Sequence, residues 1–87
     1  MTRKEVYQVI DSEREYQEKI WKSLNTTINN PSSFILWMEE YLSKARSLAA
    51  TSDERSIEDC AKIMEVIRKV TALGVACMEL NDAPKRV

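Results

Sequence analysis

The chain has no histidine, a single glycine, a single phenylalanine, two prolines and two cysteines among 87 residues. Without histidine there is no Ser-His or Cys-His nucleophile, no imidazole base near neutral pH and no His-ligated zinc. The scarcity of glycine argues against sheets and hairpins, whose turns need it. No apolar run approaches the roughly eighteen residues of a membrane span. The opening MTRKEVYQ also lacks an apolar signal segment, so the expectation is a cytoplasmic protein with no membrane partner. Thirteen basic and fourteen acidic residues leave a net charge of −1. Their signs alternate along the chain, which provides no basic field for duplex nucleic acid. Cys60 and Cys77 fall on one expected helix about 25 Å apart. A disulfide needs Cα atoms within about 7 Å, so both are expected as free thiols in a reducing compartment.

What is abundant is helix-forming: Glu, Lys, Ala, Leu and Ile at helical spacing. Thr2 and Glu5 have the form of a capping box, which predicts a first helix over 3–24 with Val6, Ile10, Gln17, Ile20 and Leu24 on its buried side. NTTINN at 25–30 reads as a connecting loop, with Asn30 capping a second helix over 31–50 that starts on Pro31. Phe34, Trp37, Met38, Tyr41, Leu42, Ala45, Leu48 and Ala49 form its apolar face, and Glu40 and Lys44 are spaced for a surface ion pair. A third helix over 53–80 has two candidate starts, Thr51 with Glu54 or Ser56 with Asp59. It carries a polar strip of Glu58, Lys62, Glu65 and Lys69 opposite Cys60, Met64, Ile67, Thr71, Gly74 and Met78.

The reading is a single all-α domain over 1–87, an antiparallel bundle of three helices with a short tail at 81–87. From Val70 onward the third helix is apolar on nearly every side. Val70, Leu73, Gly74, Ala76, Cys77 and Leu80 are therefore expected at an interface that completes the bundle by homo-oligomerisation. A chain this short buries only about 60% of its unfolded surface, which makes help from a second copy reasonable.

Three chemistries deserve weighing. Tyr7, Arg14 and Trp21 are spaced by seven and share a helix edge with Lys22. Arg68, Lys69, Lys85 and Arg86 add cations from elsewhere, and guanidinium forks with aromatic rings suit a nucleotide-like anion. The plainer reading of Arg14 and Arg68 is pairing with an acid across a helix interface. The second chemistry is a metal site, since Glu39, Glu40, Glu58, Asp59 and Glu65 could supply oxygens to Mg²⁺. The WMEEYLS and EDCAK segments resemble, in architecture, the all-α MazG-like nucleotide pyrophosphohydrolases, which carry ExxE and ExxD motifs. Here Leu42 stands three positions after Glu39, Ser43 after Glu40 and Ala61 after Glu58, so neither motif is intact. Mg²⁺ is implied only under that alternative, and otherwise no cofactor is expected.

The third follows from a broader resemblance. SEREYQEKIW from Ser12 to Trp21, IRKVTALGVACMEL and the terminal DAPKR resemble small helical proteins encoded by tailed bacteriophages. The resemblance implies a phage origin and a non-enzymatic binding protein in the host cytoplasm. As a counter-defence protein it would sequester a nucleotide-derived signal, such as a cyclic nucleotide, between subunits. A small helical inhibitor of a host protein is the remaining alternative.

Overall fold

The computed structural model describes residues 1–24 and 30–87, with the backbone alone of 23 and 24. The expected loop at 25–29 and the side chain of Leu24 lie outside the described residues. Three helices account for the fold, and no strand occurs among the described residues.

Helix α1 (Arg3–Leu24) starts on the capping box: Thr2 N–H donates to Glu5 Oε1 at 3.2 Å, and Glu5 N–H donates to Thr2 Oγ1 at 3.1 Å. Helix α2 (Pro31–Thr51) is capped by Asn30, whose Oδ1 accepts from Ser33 N–H at 2.8 Å. Helix α3 (Ile57–Asn81) takes the later of its two candidate starts, with Ser56 Oγ accepting from Asp59 N–H at 3.4 Å. The earlier start is used up differently. Thr51 closes α2 by donating its hydroxyl to Ser47 O at 3.0 Å, and Asp53 N–H donates to Asp59 Oδ2 at 3.0 Å. Asp82, with φ of 59°, turns the chain out of α3 in a conformation that L-residues rarely adopt.

Helix α3 is the shared partner. It packs antiparallel to α2, with Phe34 near Leu73 and Ala76 at one end and Leu48 near Val66 at the other. Helix α1 packs on the other side of α3: Val6, Val9 and Ile10 border α3 between Ala61 and Thr71, Glu13 meets Arg68, Gln17 meets Lys69, and Arg14 reaches Glu79. Among the described residues, no Cα of α1 comes within 8 Å of one of α2. The two outer helices meet only through side chains. Trp21 sits 5.4 Å from Trp37 and 6.3 Å from Phe34, centroid to centroid.

The core is small. Phe34 and Leu73 are its largest fully buried side chains, with Ala72 and Ala76 beside them and Ile10, Ala45 and Val70 at its margins. This corrects two expectations. Val70, Leu73 and Ala76 are spent inside the chain's own core, so their surface is not free for a second copy. Gly74 and Cys77 are half-buried, and of the expected interface only Leu80 is exposed. The surplus apolar surface lies elsewhere: on Val6, Ile35, Leu36 and Leu42, and on Ile57, Met64 and Met78 of α3. Val6 and Leu42 were expected inside. Val6 lies at the open groove between α1 and α3 and Leu42 on the outer side of α2, while Ile10 and Ala45 take the buried positions beside them.

Candidate functional site

Two ion pairs tie α1 to α3. The buried Arg14 donates from Nε to Glu79 Oε1 at 3.0 Å and from Nη2 to Glu79 Oε2 at 2.8 Å, and Nη2 also reaches Glu18 Oε1 at 3.1 Å. The Glu79 hydrogen bond pushes the guanidinium further up from its ordinary value, against the opposing effect of burial. The same bond holds the Glu79 carboxyl below the usual carboxylate range. Beside it, Arg68 Nε donates to Glu13 Oε1 at 2.7 Å, and Glu13 is itself buried. Gln17 completes the seam, donating from Nε2 to the backbone oxygen of Lys69 at 3.3 Å.

These contacts decide the fate of the expected anion line. Arg14 and Arg68 are engaged by carboxylates, and Trp21 packs against the core with the Arg14 guanidinium 5.4 Å from its ring. Tyr7, Lys22, Lys85 and Arg86 are exposed, and the last three have no carboxylate within 4.0 Å among the described residues. Tyr7, Arg14 and Trp21 thus share a helix edge in sequence but do not form one surface. Arg14 and Trp21 turn inward, while Tyr7 faces water.

A different gathering of aromatic and cationic groups occurs where the three helices meet. Trp21, Trp37 and Tyr41 line a cleft of about 190 Å³ with Gln17, Glu13 and Lys69, and Tyr16 stands exposed at its edge. Lys69 Nζ lies 6.0 Å from the Tyr41 ring and Lys44 Nζ 5.0 Å from it. Lys44 therefore sits over the ring and makes no ion pair with Glu40, contrary to its spacing. Of the cleft residues, sequence reasoning singled out only Trp21 and Lys69 as candidates. The i,i+4 spacing of Trp37 and Tyr41 put them on one face, but it gave no sign that the face opens into a cleft.

The acids proposed for a metal stay dispersed. Glu39, Glu40, Glu58 and Glu65 are exposed, Asp59 is held at the α3 cap by Asp53 N–H, and no group of three potential ligands forms among the described residues. Cys60 and Cys77 are free thiols, the first exposed and the second half-buried. No helix is long and apolar enough to cross a membrane among the described residues.

The outer side of α3 is the other large feature. Cys60, Met64, Ile67, Thr71, Gly74 and Met78 fall on one side of the helix with no Asp, Glu, Lys or Arg among them. Ile57, Met64 and Met78 are at least half exposed. At its α1 edge this face opens into a groove of about 450 Å³ floored by Val6, Val9 and Ala61. No protein-family model matches the chain, and no significant match is found among curated proteins or solved structures.

Proposed function

We propose that the protein is a non-enzymatic binding protein that works as a homo-oligomer, with the outer face of α3 as its contact between copies. One observation carries this reading: α3 has an uncharged strip on which Ile57, Met64 and Met78 are at least half exposed. Surface area agrees with it. The chain exposes 7007 Å², against about 5,300 Å² for a compact monomer of its mass. Its radius of gyration is 14.3 Å where about 12 Å is usual.

Within that assembly the ligand reading is sequestration of a nucleotide-derived anion between subunits, in the manner of a small phage counter-defence protein acting in the host cytoplasm. Tyr7, Lys22 and Arg86 support it, because all three are exposed and the two cations are not engaged by carboxylates among the described residues. Arg14 and Arg68 are left out of that ligand set, since α1 and α3 use them for each other.

Sedimentation velocity of the full chain beside Met64→Glu tests the proposal. Met64 is half exposed, so the variant keeps its melting temperature within a few degrees. The expected result is an assembly in the parent and a monomer in the variant. A parent that stays monomeric at tens of micromolar overturns the proposal. A thermal-shift screen with cyclic nucleotides then tests the ligand: stabilisation by a native-state ligand follows RT ln(1 + [L]/Kd) and is expected to fall in Tyr7→Ala and Lys22→Ala.

A further inference from the structure

We infer that the cleft between the three helices is a ligand site in its own right, built for a flat aromatic ring carrying one anionic group. It lies within a single chain and does not depend on self-association.

Size sets the first limit. About 190 Å³ is well below the 300–1,000 Å³ of pockets that hold drug-sized molecules, and it suits one or two fused rings with their substituent outside. The walls set the second. Trp21 and Trp37 are inclined at 36° with centroids 5.4 Å apart, and Tyr41 follows Trp37 one turn along α2, so a planar guest meets ring surface from two helices.

Charge sets the third. Lys69 lines the cleft, and among the described residues neither it nor Lys44 has a carboxylate within 4.0 Å. Both ammonium groups instead gather about the Tyr41 ring. Half-buried and unpaired, the Lys69 ammonium favours an anion at the rim. Glu13 also lines the cleft; it gives Oε1 to Arg68, and its other oxygen makes no hydrogen bond among the described residues. Arg68 offsets the Glu13 charge, and the free oxygen can accept a ring N–H. The guest therefore enters with its N–H toward Glu13 and its anion toward Lys69.

The test uses the ¹⁵N-labelled full chain, whose two indole N–H signals report from Trp21 and Trp37. Indole-3-acetate, indole and tryptamine present the same ring with negative, neutral and positive substituents. Indole-3-acetate is expected to shift both signals at the lowest concentration and tryptamine at the highest. Lys69→Met is expected to weaken indole-3-acetate by about fivefold while leaving indole unchanged, and Lys69→Arg to restore it. Adenosine 5′-monophosphate separates the two sources of such a ligand: shifts of the same signals assign the site to nucleoside phosphates, and their absence assigns it to aromatic carboxylates. The inference is overturned if millimolar indole-3-acetate moves neither signal, or if Lys69→Met weakens indole and indole-3-acetate equally. Should Lys69→Met fail to fold, the order of the three indoles on the parent chain decides the matter alone.

Discussion

Arg14 of α1 grips Glu79 of α3 at two points, Nε to Oε1 at 3.0 Å and Nη2 to Oε2 at 2.8 Å, across 65 residues of sequence. Such a fork fixes the roll of α1 as well as its distance from α3. Half of the Glu79 side chain is in water, so the coupling is modest, and a double-mutant cycle on Arg14→Met and Glu79→Gln is expected to give about 0.5–1.5 kcal/mol.

The same pair sets a pH dependence. Arg14 lowers the Glu79 carboxyl below its unfolded value, so the folded state holds this proton less tightly. The stabilisation is present above the unfolded value of about 4.3 and is lost as pH falls through the lowered folded value. Melting temperatures between pH 6 and pH 3 are therefore expected to fall more steeply in the parent than in Glu79→Gln. Parallel curves would remove the contact from the folded protein in solution.

Gly74 occupies mid-helix without a turn or a positive φ to require it. A Cβ built there meets only the Met38 methyl, at an ordinary 3.6 Å. Gly74→Ala is expected to raise stability by about 0.5–1 kcal/mol through the entropy of the unfolded chain. Urea denaturation reads this directly, and a loss of stability would mean that α2 and α3 are closer than described.

Phe34 and Leu73 are the largest fully buried side chains of the core. Leu73→Ala is expected to cost about 2–5 kcal/mol and Phe34→Ala about 3–5 kcal/mol. Against a total near 5–10 kcal/mol for a domain of this size, either change leaves little folded protein at 37 °C, which circular dichroism at 222 nm would show. Met64→Ala, on the exposed face, is expected to stay within about 0.5 kcal/mol.

Local signals were legible at the starts of α1 and α2, whereas α3 begins at Ile57, four residues after the expected 53 and at the later of its two candidate caps. Thr2, Asn30 and Ser56 mark helix starts because a capping side chain acts on backbone three residues away, and such a short-range interaction is written in the spacing. Burial was less legible, because it depends on how the helices cross. Val6 has the right period for a core position, yet it stands at the open groove between α1 and α3 and is 40% exposed. The burial of Glu13 depends on Arg68, and this pairing links residues 55 apart. The apolar excess of α3 was legible in kind and misplaced in position. Periodicity separates its two sides without saying which of them α1 and α2 cover.

The outer side of α3 also governs how the molecule responds to solvent. A contact made on a face without charge has nothing for mobile ions to screen. Raising ionic strength with sodium chloride would leave it intact, whereas sulfate, excluded from protein surfaces, would strengthen it. With a net charge of only −1, the rest of the surface offers little long-range repulsion to oppose this. Salting-out is therefore the condition under which the protein is expected to order itself first, with α3 against α3.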